Sequence, residues 1–268
     1  MKNTNNIYKH KNYWGKEYFE YWRARTAEAE LEGEISSLIE TDAKTPKSSS
    51  YEELISLLNI CENERVLEAG CGFGRSIRYL AERCLSLTCV DISDEMITQA
   101  KIDYGSLENV NFHVAAVEET KLEDRSVDKI VCYGVFEAVL QEMALREFER
   151  IIELNGKLLL TGKNYNYTYN DEEAWTAELN ARQKGHPNYF TYYSEMLDLL
   201  ANLGFIVTEE RFFVTRKNMA ENVYVTTRPA EFYYYAAIFQ KTQSYIIKTD
   251  ITISSSHSKR YSENDEKK

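Results

Sequence analysis

From residue 65 to residue 165 short apolar runs alternate with amphipathic stretches. RVLEAG (65–70), LTCVDIS (87–93), NVNFHVAAV (109–117), VDKIVCYGVF (127–136) and KLLLTGKNY (157–165) are too short and too continuously apolar for helices, and they predict buried strands. GRSIRYLAERC (74–84), DEMITQAKIDYG (94–105) and QEMALREFERII (141–152) lie between them and carry helical periodicity. Strands and helices alternating at this spacing predict βαβ units, and so a parallel sheet with helices on both faces. YYSEMLDLLANLGF predicts a further helix ending at Gly204, and FIVTEERFFV and EFYYYAAIFQKT predict two late strands.

The flanks differ. Residues 1–48 bring aromatics at uneven spacing (Tyr8, Tyr13, Trp14, Tyr18, Phe19, Tyr21, Trp22) and then acidic helical sequence, which predicts a helical cap or lid. "TPKSSS" (45–50) is a linker into the helix YEELISLLNI. The main domain is expected over 49–243, interrupted at 164–190 by an aromatic, polar, partly helical insertion. Residues 244–268 are poor in apolar side chains and predict a disordered tail.

The net charge of −11 opposes a chain that binds nucleic acid through phosphate neutralisation. No run of about 18 apolar residues is present, so no membrane span is expected. The polar N-terminus lacks the apolar core of a secretory signal, and a cytoplasmic location is expected. The five cysteines (61, 71, 84, 89, 132) contain no C-x-x-C pair, which predicts buried thiols and no zinc or other metal site.

Chemistry concentrates in the first strand–helix turn, Glu68-Ala69-Gly70-Cys71-Gly72-Phe73-Gly74. Such a turn lies beyond the carboxyl end of a strand, where open parallel sheets bind ligands. Glycine lets main chain approach a ligand without an intervening Cβ. Asp91 ends the second strand, where a carboxylate can take both hydroxyls of a ribose. The spacing is G-x-G-x-G and not the dinucleotide pattern G-x-G-x-x-G. Glu68 beside the loop opposes a pyrophosphate and suits a ligand with positive charge.

With these residues in place, E-x-G-C-G-x-G followed by CVDISDEMITQA resembles the class I S-adenosylmethionine-dependent methyltransferases. SVDKIVCYGVFEAV resembles the fourth-strand motif of that family, with Ala138 after Glu137 where a histidine is usual. ELNGKLLLTGKN and LANLGFIV resemble its fifth- and sixth-strand motifs, with Asn155 in place of a glycine. The resemblance spans roughly residues 51–241. It implies a Rossmann-like, mostly parallel seven-stranded sheet with an antiparallel last strand. It also implies S-adenosylmethionine as cofactor and S-adenosylhomocysteine as product.

Residue by residue, the resemblance places Glu68, Gly70, Cys71 and Gly72 around the methionine portion of the cofactor, Asp91 on the ribose, and Ile92 and Met96 on the adenine face. Val117 and Tyr133 complete the expected cofactor set. The acidic residue expected for the adenine amine is missing from Ala115-Ala116-Val117. Glu118 either substitutes for it or faces solvent.

An alcohol or protonated amine as acceptor needs a base. His10 and His257 lie in the flanks, and His113 falls mid-strand as a packed structural residue. His186 in KGHPNYF is the base candidate, its alternative being a loop residue oriented by Pro187. Tyr165 alternates with Tyr167 and Tyr169 past the fifth strand, either in an acceptor pocket or in edge packing. The aromatic N-terminus either covers the cofactor or packs on the core. The expected function is methyl transfer to oxygen or nitrogen of a small molecule; the oligomeric state is open, a homodimer being one option. A non-catalytic S-adenosylmethionine-binding protein and a nucleotide-dependent oxidoreductase are the alternatives.

Overall fold

The computed structural model describes residues 11–30, 48–167, 171–183, 185–243 and 256–257. Among these, seven strands form one sheet: β1 (Arg65–Ala69), β2 (Ser86–Asp91), β3 (Val110–Val114), β4 (Val127–Cys132), β5 (Ile152–Lys163), β6 (Phe205–Phe213) and β7 (Tyr234–Lys241). Their order across the sheet is β3-β2-β1-β4-β5-β7-β6. Pairing is parallel from β3 to β5, and β7 runs antiparallel between β5 and β6. The expected Rossmann-like sheet and its antiparallel last strand are both present.

The central strands read as continuous apolar runs because both sheet faces are covered. Val66, Cys89, Val131 and Leu159 face one core, and Leu67, Val90, Ile130 and Leu158 face the other. Helices α2 (Ser48–Ser56), α3 (Ile77–Ala81) and α4 (Asp94–Tyr104) supply Leu54, Ile55, Ile77, Leu80 and Ile97 to the first core. Helices α5 (Gln141–Ile151) and α7 (Tyr193–Asn202) supply Leu145, Phe148, Met196 and Leu199 to the second. Each such side chain, fully buried, contributes about 1.5–3 kcal/mol before chain entropy is charged against it.

Three more helices complete the described fold: α1 (Lys16–Glu30), α6 (Glu172–Gln183) and α8 (Arg216–Ala220). The helix expected over 74–84 is confined to Ile77–Ala81, and Gly74, three residues before its start, holds φ +100°. Helix α4 starts where Ser93 Oγ accepts from the Met96 N–H, with Asp94 and Glu95 in its first turn.

Three expectations need correction. His113 is exposed on β3 instead of packed. Cys61 is exposed, while the other four cysteines are buried free thiols. Within the expected disordered tail, Ser256–His257 pairs antiparallel with Tyr189–Phe190. The rest of that tail, residues 31–47 of the expected cap and His10 lie outside the described residues. No described helix is long and apolar enough to cross a membrane.

Strand order reverses between β1 and β4, so the loops leaving their carboxyl ends diverge and open a crevice. Helix α1 lies over it. Lys11 pairs with Asp94 at the start of α4 (2.9 Å), and Phe19 meets Phe73 of the glycine loop edge-on at 6.1 Å.

Candidate active site

Crevice and cover enclose a cavity of about 1040 Å³. Its floor is the glycine loop, in which Gly70, Gly72 and Gly74 all hold positive φ. They serve different ends. A Cβ on Gly70 would collide with the Val135 side chain from the loop after β4, and one on Gly74 would lie 2.6 Å from the Tyr104 ring. A Cβ on Gly72 would meet nothing closer than Met96 Sδ at 4.0 Å, so its main chain opens to the cavity. Two glycines close packed loops, and the middle one leaves bare backbone for a ligand.

Gly70→Ala combines overpacking against Val135 with a left-handed backbone, and is expected to cost about 2 kcal/mol of stability. Urea unfolding checks this through a lowered midpoint at unchanged slope.

The loop is tied to β2 by Asp91. Its Oδ2 accepts from the Gly72 N–H and its Oδ1 from the Ser93 N–H, both at 2.9 Å. Burial raises the Asp91 pKa above the ordinary carboxylate value, while N–H groups of Ser93, Gly72 and Ile92 pull it back. Glu68 is buried at the end of β1, where Ser76 Oγ donates to its Oε1. Burial first, and then the charge of Asp91, push Glu68 up to about 7 against the lowering hydrogen bond from Ser76. Burial also raises Glu118, whose Oε1 accepts from the Leu140 N–H at 2.7 Å. Glu118 is therefore held between the loops after β3 and β4 and lines the cavity.

All ten predicted cofactor residues (Glu68, Gly70, Cys71, Gly72, Asp91, Ile92, Met96, Val117, Glu118, Tyr133) line this one cavity. The donor set fits an adenosyl sulfonium. The open glycine backbone, the carboxyls of Glu68 and Asp91, and the apolar side chains of Ile92, Met96 and Val117 line the cavity together.

The roof is aromatic. Tyr13, Trp14 and Tyr18 surround the His186 ring at centroid distances of 5.3, 5.2 and 6.3 Å. His186 and the N-terminal aromatics therefore share the cavity, with α6 beside them. Tyr165 does not line it. Its ring stacks on Tyr192 at 4.0 Å and its N–H donates to the Thr191 carbonyl. Tyr167 is buried between Phe190 and Tyr233. Tyr165 and Tyr167 are thus packing residues, and Tyr169 lies outside the described residues.

The fold also brings charged residues to the cavity that the sequence did not single out, among them Glu137, Lys163, Glu178 and Arg216. Lys163 Nζ donates to Glu178 Oε1 at 2.6 Å and to Asn188 Oδ1 at 3.1 Å. Arg216 Nη1 donates to the Tyr233 hydroxyl, which in turn donates to Glu178. Only Glu137 carried a local signal, its place beside Ala138, where the family motif has histidine.

Residues 67–160 match the family model described as a methyltransferase domain. An uncharacterised methyltransferase of Schizosaccharomyces pombe is 33% identical over 103 residues, covering 38% of this chain and 40% of the relative. Phosphoethanolamine N-methyltransferase 1 of Arabidopsis thaliana is 25% identical over 182 residues, covering 66% of this chain and 35% of the relative. The chain spans about half the length, or less, of these curated relatives.

Two solved structures share the fold. Geranyl diphosphate C-methyltransferase of Streptomyces coelicolor has TM-score 0.57 and 16% identity over 73% of this chain and 78% of that one. A SAM-dependent methyltransferase of Methanosarcina mazei has TM-score 0.52 and 18% identity over 70% of this chain and 96% of that one. Residues 67–160 thus match a methyltransferase domain, and the sheet order and the glycine loop clasped by Asp91 make the chain similar to the class I S-adenosylmethionine-dependent methyltransferases.

Proposed function

We propose that this chain methylates an oxygen or nitrogen of a small-molecule acceptor, with S-adenosylmethionine as donor. The observation that carries the reading is one continuous cavity that joins the glycine loop and Asp91 to an aromatic, charged chamber under α1. The cofactor supplies an electrophilic methyl group on a sulfonium. Asp91 is placed for the ribose hydroxyls, Glu68 for positive charge at the methionine end, and Ile92 and Met96 for the adenine face.

What the protein contributes is alignment and exclusion of water. Residues of helices α1 and α6 line the site together with the glycine loop, which suits a compact acceptor. His186 is placed among aromatic rings at the roof, where it can orient an acceptor or take up a proton.

Incubating the full chain with methyl-labelled S-adenosylmethionine and a metabolite extract is expected to yield a labelled low-mass product by mass spectrometry. Tight binding of S-adenosylhomocysteine with no labelled product in any extract would instead support a binding protein without catalysis.

A further inference from the structure

Glu137 stands in the 3-10 turn Phe136–Ala138, directly after β4, and lines the cavity. It is 8% exposed, and its Oε2 is buried without a hydrogen-bond partner. A buried carboxylate oxygen in that state is strongly destabilising unless something pairs with it.

The groups around it are committed elsewhere. Lys163 and Arg216 are the cations whose charge reaches it, and Lys163 is held by Glu178 and Asn188 while Arg216 bonds the Tyr233 hydroxyl. Its negative charge is felt at the phenols of Tyr18, Tyr133 and Tyr234. The Tyr18 hydroxyl accepts from Trp22 Nε1, the Tyr234 hydroxyl is bonded to Thr161 Oγ1, and the Tyr133 ring stacks on Tyr51. Tyr18 also feels Asp91, so the charges of Glu137 and of the residue placed for the ribose both reach one tyrosine.

We infer that Glu137 is the acceptor-site carboxyl, and that the methyl acceptor presents an N–H or O–H group to it from a body apolar enough to fill the aromatic chamber. This rests on the methyltransferase reading and narrows it. An acceptor whose reacting end is a carboxylate or phosphate is repelled by Glu137, whereas an ammonium or hydroxyl satisfies it. The same oxygen is placed to receive the proton that an alcohol or ammonium must lose. The proton passes from the acceptor's oxygen or nitrogen to Oε2 and leaves an electron pair on the nucleophile.

The test uses the full chain saturated with S-adenosylhomocysteine and three matched probes: phenethylamine, 2-phenylethanol and 3-phenylpropanoate. Calorimetry or ligand-observed NMR is expected to show the amine or the alcohol binding at least about tenfold tighter than the carboxylate. The stronger of the two tells which donor the site prefers. Glu137→Gln is expected to remove that preference while S-adenosylhomocysteine affinity changes less than about twofold. Glu137→Met, which removes the unpaired oxygen, is expected to raise Tm by a few degrees.

Tighter binding of the carboxylate, no binding of amine or alcohol, equal binding by Glu137→Gln, or a lowered Tm for Glu137→Met would each overturn the inference. Failure of the unsubstituted chain to bind S-adenosylhomocysteine would instead remove the reading beneath it.

Discussion

Asp91→Ala is expected to weaken S-adenosylhomocysteine binding by at least about 100-fold, measured by calorimetry. The carboxylate meets both the glycine loop and the start of α4, through the Gly72 and Ser93 N–H groups. Hydrogen bonds to a charged partner contribute about 1.5–3 kcal/mol each, so losing both contacts to a ribose diol alone reaches a hundredfold. Release of the Gly72 N–H adds the entropy of a loop that is no longer pre-set for its ligand. Asp91→Asn keeps the shape and one acceptor oxygen, and is expected to fall between the two. Binding by Asp91→Ala within about threefold of the parent would move the ribose away from β2 altogether.

The two acidic residues read in advance, Glu68 and Asp91, owe their positions to the strand ends on which they stand. Glu68 and Asp91 terminate β1 and β2, and the parallel register Glu68↔Cys89 and Ala69↔Val90 brings those two strand ends side by side. A strand followed by glycines and a strand followed by Asp-Ile-Ser are local signals, so spacing along the chain was enough.

The acceptor chamber has no such signal. Glu178 comes from the middle of α6, Lys163 from the end of β5 and Arg216 from α8, and only the tertiary fold gathers them. Tyr165 stayed open between two readings for the converse reason. Alternating tyrosines carry the same pattern in an edge that packs on Tyr192 and Phe190 as in a pocket wall. The aromatic N-terminus read equally as lid or as core packing. The ring cluster with His186 and the Lys11–Asp94 pair place it over the cavity, a choice that depends on partners more than 80 residues away.

Glu68→Gln is expected to separate stability from binding. In the folded chain Glu68 is pushed from 4.5 to about 7, chiefly by burial. The native state therefore binds this proton more tightly than the unfolded chain. Stability is highest below pH 4.5 as far as this group is concerned, and it is lost progressively as pH rises through 7. The rise corresponds to about 3 kcal/mol above pH 7.

A glutamine keeps an acceptor oxygen for the Ser76 hydroxyl and carries no charge to desolvate. Parent and variant should melt together near pH 5, and the variant should melt higher by about 5–10 °C at pH 8. Cofactor binding runs the opposite way. The cationic donor gains from Glu68 only when the carboxyl is ionised, so parent affinity for S-adenosylmethionine should tighten from pH 6 to pH 8. In Glu68→Gln that rise should flatten, leaving affinity at pH 8 lower by about 10- to 100-fold. A variant that melts lower than the parent at pH 8 would show that the carboxylate holds the fold together instead. The cost that burial imposes on Glu68 would then have no counterpart in ligand binding.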